Sequence, residues 1–426
     1  MSGLCGVVSA IHPAPRDPSE PPFPHAFRAL LANHRFAGPD EEPLAGAGKG
    51  ATPAEARAAA LGEAVERYSS SCWGDEGVVR ARRADLTGAS VDPRDLVLYA
   101  PDQYAEVEFA PYDDETVLGW LRARSLVSGE MVHVPALATT MSYRVADPSE
   151  YLFCPTSNGL AAGSTLVEAV EGGLLEVLER DAFVIAWTNR LPCVRFDAST
   201  HPDPAVRAMA AAYERRGIDL ELFRFPTDHP VAVFVALAVE RDGEGPAAVA
   251  GLGASLAEAE AARKAALEVG QVRPSLRARM RTPEAQRRLA ELVADPHRVE
   301  TLDDHDLLYA SRESLPAFDF LFDPERIPFE PEPREPEPAF ARVARLVEHF
   351  GERGQDVLYY DLTTPDMERL HLRTARVLVP GFQPIDFGWK QQRRGGERLF
   401  DLPRQLGLRP RRARPEDLND DPHPLA

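Results

Sequence analysis

An internal repeat limits what this chain can fold into more than any other feature of it. Thr52, Glu55, Glu63, Glu66 and Arg67 recur as Thr165, Glu168, Glu176, Glu179 and Arg180, every pair at the same 113-residue offset, which Gly50 and Gly163 also share. Each copy opens as a capping box, with threonine followed three positions later by glutamate, and in the first copy Pro53 occupies the first helical position. An alanine-rich run carries the first helix to about Ser71, and Leu174, Leu175, Val177 and Leu178 carry the second to about Trp187. Spacings of three and four place both glutamates and the arginine of each E-x-x-E-R on one helix face.

If the two faces meet, the carboxylates of Glu63, Glu66, Glu176 and Glu179 converge with only Arg67 and Arg180 between them. Like charges about 4 Å apart repel by about 4 kcal/mol at an effective dielectric near 20, so protons or cations must compensate. Hard divalent cations suit oxygen ligands, and carboxylate-bound magnesium usually also takes nucleotide phosphates, which arginines on the same face would meet. The repeat therefore points to a magnesium–nucleotide site. Glu168 is either a further ligand or, like Glu55, a helix cap. Gly46-Ala-Gly-Lys-Gly50 lacks the Walker A spacing. Lys49 in this glycine turn is a phosphate ligand at a helix N-terminus or an exposed turn residue. No Ser-His-Asp or Cys-His arrangement is evident, and His371 and His423 are either proton carriers or surface histidines.

The formal charge of -19 repels nucleic acid unless the basic residues are segregated onto one face. The cluster Arg273 to Arg281 reads as a solvated helix end. Cys5, Cys72, Cys154 and Cys193 form no C-x-x-C pair and read as reduced thiols of a cytoplasmic protein. No signal peptide or membrane-spanning apolar run appears. Residues 1–45 read as a proline-rich irregular arm with one helical pattern around Ala26 to Asn33. Strands are expected at Ala232–Val239, Ala247–Leu252, Val357–Leu362 and Thr374–Val379. A third capping box, Ser255 to Glu258, starts a helix reaching about Val272. Residues 328–338 read as an exposed loop, followed by a helix over Ala339–Glu352. Alternating strands and helices argue for an α/β fold.

The segments GKGATPAEARAAALGEAVERYSS, SNGLAAGSTLVEAVEGGLLEVLERDAFVIAWTNRLP and GLGASLAEAEAARKAALEVGQVR resemble the YcaO family, from about Gly46 onward. The resemblance implies a YcaO fold, with pseudo-symmetric E-x-x-E-R helices over mixed β-sheets, and division into the arm, an ATP-binding catalytic domain (46–400) and a proline-rich tail (401–426). It implies magnesium held by Glu63, Glu66, Glu176 and Glu179, with Glu168 assisting, and ATP contacts from Lys49, Arg67, Ser164, Arg180 and Gln271. Ala59, Ala161, Ser164 and Gly172 depart from the polar residues usual in the family, each exchange removing a hydrogen bond of about 0.5–1.5 kcal/mol.

The tail Pro422-His423-Pro424-Leu425-Ala426 is similar to the P-x-P-x-P end of azoline-forming members, with alanine in the last position. This implies catalytic roles for Pro422, His423, Pro424 and Ala426. The implied reaction is ATP-dependent cyclodehydration of cysteine, serine or threonine in a ribosomal precursor peptide. The implied partners are that peptide, a leader-binding ubiquitin-activating-like docking protein, a flavin-dependent azoline dehydrogenase and a second copy of the chain; neither nucleic acid nor membrane is expected. The alternatives are a thioamide- or amidine-forming enzyme and a non-catalytic scaffold of a synthetase complex.

Overall fold

The computed structural model describes residues 6–32, 45–71, 77–330 and 337–425. Near the N-terminus β1 (Val8–Pro13), β2 (His25–Leu31) and β3 (Ala45–Gly50) form an antiparallel sheet in that order. This corrects both the irregular arm and the glycine turn. The physical reason is a period of two: Phe27, Ala29 and Leu31 are buried against Ala56, Ala60 and Ala64 of helix α1 (Pro53–Ser69), while Arg28 faces outward. The strand β3 carries glycine because α1 lies directly on it, and a Cβ at Gly46 or Gly48 would overlap the α1 backbone around Ala60.

A second sheet is built from β4 (Val79–Arg82), β5 (Val117–Ser125), β6 (Met131–Pro135), β7 (Leu160–Gly163), β13 (Leu358–Asp361) and β14 (Arg373–Leu378). Its order is β4-β5-β13-β14-β7, with β6 pairing β5. Helix α2 (Leu166–Asn189) packs across β7 and β14, its apolar side meeting Val377 and Ala375. The third sheet contains β8 (Val194–Phe196), β9 (Asp219–Phe225), β10 (Ala232–Val239), β11 (Ala248–Ser255) and β12 (Arg326–Ile327), in the order β11-β10-β9-β8-β12. Helix α3 (Pro204–Glu214) precedes β9, and α4 (Glu258–Arg279) lies on β10 and β11. The four strands read from β-branched and aromatic content are all present, as is the helix Ala339–Gly351.

Three further differences concern α4. The cap of α4 is Ala257, which makes no side-chain cap bond, because Ser255 still ends β11 and its hydroxyl accepts from Ala257 N at 3.1 Å. The helix then continues past Val272 and through Pro274 to Arg279. The arginine cluster is solvated only at its far end: Arg273 is fully buried, pairing with Glu20 at 3.0 Å and with Glu240, and Arg277 meets Glu20 at 3.2 Å, whereas Arg281 is exposed. The partner carboxylates come from distant segments, which no local reading of charge can anticipate. Cys154 and Cys193 are free thiols, whereas Cys5, Cys72, Ala426 and positions 331–336, where a loop is expected, lie outside the described residues. Among the described residues no helix is long and apolar enough to cross a membrane.

Candidate active site

The two repeat copies have matching local structure. Thr52 and Thr165 cap α1 and α2 with nearly equal backbone angles (φ -123°, ψ 156° and φ -131°, ψ 157°), each hydroxyl accepting from the glutamate N–H three positions on at 3.2 Å. The Glu55 carboxylate returns to Ala51 N at 2.9 Å, and that of Glu168 returns to Ser164 N at 3.0 Å and Thr165 N at 3.2 Å. Ser164 also donates its hydroxyl to Glu168, which with these amides holds the carboxyl below its usual range. Glu168 and Ser164 are therefore engaged with each other at the start of α2.

The acidic faces of α1 and α2 meet, and α4 completes the site. Glu63 accepts from Ala47 N of its own strand β3 at 3.0 Å, whereas Glu66 reaches across to Ala162 N of β7, also at 3.0 Å. Glu179 of α2 is electrostatically coupled to Glu268 of α4, and Glu268 pairs with Lys49 of β3 at 2.9 Å. The three strand-and-helix units β3–α1, β7–α2 and β11–α4 thus close on one another around a half-buried cluster of glutamates.

Electrostatics of this cluster follow from burial. Desolvation, reinforced by Glu176 and Glu63, pushes the Glu66 carboxyl up to about 8 against the pull of the Ala162 amide. Desolvation and Glu268 push Glu179 up to about 7, opposed by Arg180 and Lys264. Glu176 is raised by burial although Arg180, Arg376 and Arg67 oppose it. Arg67 meets Glu63 at 3.3 Å and Arg180 meets Glu176 at 2.9 Å, both as i,i+4 pairs. The oxygen-only donor set and the raised carboxyls suit a hard divalent cation. Among the described residues no three His, Cys, Asp or Glu side chains are close enough to hold a metal by themselves.

Of the remaining expected residues, Gln271 is half-buried on α4, and His371 is an exposed turn residue with φ 57°. The tail is docked inside the fold. Pro422 accepts from the Tyr309 hydroxyl, Asp421 from Trp187 Nε1 at 2.9 Å, and Leu425 belongs to the main apolar core. His423 is buried and close enough to Arg180 for the guanidinium to help depress its basicity. Sequence reasoning missed Glu268, hidden among other charges of α4, and Arg376, although a lone arginine in the apolar strand Thr374–Val379 was a visible signal.

The sequence pattern of the family described as YcaO cyclodehydratase, ATP- and Mg2+-binding, matches residues 47–383. An uncharacterised protein of Methanothermobacter thermautotrophicus is 33% identical over 228 residues, which is 53% of this chain and 56% of that protein. The chain spans about half the length of the curated relatives it matches, at 56% and 44%. A heterocyclase solved in complex with substrate and cofactor superposes with a TM-score of 0.78 at 25% identity, covering 100% of this chain and 56% of that one. The YcaO protein of Methanopyrus kandleri, bound with AMPPCP and Mg2+, shares the fold at a TM-score of 0.61 and 23% identity, covering 88% of this chain and 86% of that one. With the three-unit acidic site and a match over most of its length, the chain belongs to the YcaO family.

Proposed function

We propose that the protein is an ATP- and magnesium-dependent cyclodehydratase that converts cysteine, serine or threonine residues of a ribosomally made peptide into azolines. The observation that carries this reading is the half-buried glutamate cluster, in which burial and neighbouring carboxylates push Glu66 up to about 8 and Glu179 up to about 7. When bound, ATP with magnesium supplies the phosphoryl group that makes the former amide oxygen a leaving group; the overall change is peptide plus ATP to dehydrated peptide, ADP and phosphate.

The chain's own contribution is positioning and charge. Glu63, Glu66, Glu176 and Glu179 would contribute to holding magnesium together with water and phosphate oxygens, since no three of them close on one point by themselves. Arg67 and Arg180, now paired with Glu63 and Glu176, would exchange those carboxylates for phosphate oxygens. Lys49 stands ready for the same exchange with Glu268. Ser164 and Gln271 would add contacts to the nucleotide, and Glu168 would assist the metal. Arg180 is among the charges that depress His423, and this electrostatic link between the docked tail and the acidic site supports a role for Pro422 to Ala426 in the reaction. A leader-binding docking protein, a flavin-dependent dehydrogenase and a second copy of the chain are the partners this reading implies.

The test is to incubate the chain with ATP, magnesium, a precursor peptide and the docking protein, following ADP release and peptide mass together. Loss of water with stoichiometric ADP supports the proposal. Sulfur insertion would convert it to the thioamide reading, and absence of turnover with the fold intact would leave a scaffold.

A further inference from the structure

A small cavity of about 70 Å³ lies against the acidic site and shares Arg180 with it. Arg376, Gln383 and Asn158 line it, and each keeps one buried polar atom without a partner among the described residues: Nη1, Oε1 and Oδ1 respectively. Arg376 and Gln383 are themselves almost wholly buried, at 3% and 1% exposure. Buried polar atoms are normally satisfied, so three orphans on residues that line one cavity point to a ligand group met there when these side chains turn toward it.

The donor and acceptor roles are fixed by the partners these side chains already have. Gln383 Nε2 donates to the Arg393 carbonyl at 2.8 Å and Asn158 Nδ2 to the Ile385 carbonyl at 3.1 Å. A carbonyl can only accept, so both amide oxygens are left as free acceptors. Arg376 donates through Nε to Ala138 O at 2.9 Å and through Nη2 to Thr156 O at 2.7 Å, which leaves Nη1 as a free donor. One cationic donor and two acceptors complement a group bearing a carbonyl oxygen and an N–H.

We infer that this cavity receives the backbone amide of the peptide residue being cyclised, its carbonyl oxygen on Arg376 Nη1 and its N–H on Gln383 Oε1 and Asn158 Oδ1. The inference rests on the nucleotide reading of the neighbouring acidic site. One water needs about 10–15 Å³ of such a cavity, so the volume takes a planar amide with room to spare, lined on its apolar side by Phe153 and Phe382. Seated there, the carbonyl lies next to Arg180, where a phosphoryl group must arrive. A guanidinium aimed at that oxygen also favours the negative charge that develops on it when the side-chain nucleophile adds.

The probe is N-acetylglycyl-cysteine amide labelled at the glycyl carbonyl, titrated into the full chain without nucleotide and followed by carbon NMR, beside its N-methyl-cysteine analogue, which lacks the N–H. Wild type is expected to bind the N–H probe at least about tenfold more tightly. Gln383→Leu and Asn158→Leu should each reduce that preference below about threefold, with a lower melting temperature because the Arg393 and Ile385 carbonyls lose their donors. Two variants guard against one failing to fold. Equal affinity of wild type for both probes, as for a cavity holding only water, overturns the inference, as does an undiminished preference in both variants. Calorimetric titration of wild type with ATP and magnesium stands apart: its failure would sink the nucleotide reading, whatever the amide preference.

Discussion

The imidazole rings of His305 and His423 are stacked, with centroids 3.9 Å apart and planes 10° from parallel. His305 Nδ1 donates to the His423 carbonyl at 2.7 Å, and its Nε2 accepts from Gly388 N at 2.9 Å. His423 Nε2 donates to the Asp386 carbonyl at 2.9 Å, and its Nδ1 accepts from Leu425 N at 3.3 Å. Both rings are therefore neutral, in opposite tautomers, and their four nitrogens tie the C-terminal segment to the body.

Protonation of either ring would break this arrangement. Burial lowers His305 to about 4 although the His423 carbonyl and Asp304 favour the cation. Burial, then His305 itself and Arg180, hold His423 well below its ordinary value. The unfolded chain binds these protons near pH 6.5 and the native chain does not, so the stability they contribute is complete above that pH and is lost as pH falls toward 4. For His305 the loss at pH 4 is on the order of 3 kcal/mol. Glu66 and Glu179, whose carboxyls are raised, act in the opposite sense, gaining stability as pH falls through 8 and 7. The measurement is therefore a difference: His305→Leu should lower the melting temperature at pH 7.5 and narrow its gap to wild type by pH 5. A gap independent of pH would reject the neutral pair.

Glu66→Gln and Glu179→Gln test the acidic cluster. Glutamine resembles the protonated acid, so melting temperature without magnesium should hold or rise, while ATP turnover disappears and the stabilisation by magnesium with ATP is lost. Magnesium must also displace the Glu66 proton, so its affinity in wild type should strengthen from pH 6 to pH 8. Full turnover in both variants would remove the cluster from the chemistry.

How much of this was legible before the structure depended on how local the signal was. Thr52, Glu55, Thr165 and Glu168 declare their caps within four residues, and the E-x-x-E-R faces follow from helical spacing alone. The strand at His25–Leu31 was hidden because a seven-residue segment fits both a helical and an alternating pattern until its neighbour is known. Lys49 was placed in a turn because glycine usually marks one; here glycine marks the close approach of α1. Glu268 and Arg376 entered the site only through contacts between elements far apart in sequence, as did the burial of Arg273.

Arg273 makes a prediction of its own. Its guanidinium joins α4 to Glu20 of the N-terminal segment and Glu240 after β10, all at most 7% exposed in their side chains. Removing one member of a buried ion network leaves the others unpaired and costs about 3–5 kcal/mol. Arg273→Ala should destabilise by that order in urea unfolding, and Glu20→Gln by less, since the Glu240 pair remains. An Arg273→Ala variant as stable as wild type would show that water reaches this network.

The tail is the last test, and the structure changes what it should show. From the sequence, the tail carries an implied catalytic role for Pro422, His423, Pro424 and Ala426. In the fold His423 is buried, Leu425 is 5% exposed, and Pro422 accepts from Tyr309, so the segment also contributes to stability. Burying one leucine side chain is worth about 1.5–3 kcal/mol, and the histidine hydrogen bonds add to it. Deleting Pro422 to Ala426 should therefore lower both the melting temperature and the rate, by at least about tenfold for the latter, or about 1.4 kcal/mol of transition-state stabilisation. A tag appended after Ala426 separates the two effects. It leaves His423 and Leu425 in place, so melting should stay near wild type while peptide processing falls and ATP affinity is unchanged. A tagged chain that processes peptide at the wild-type rate would confine the tail to a structural role.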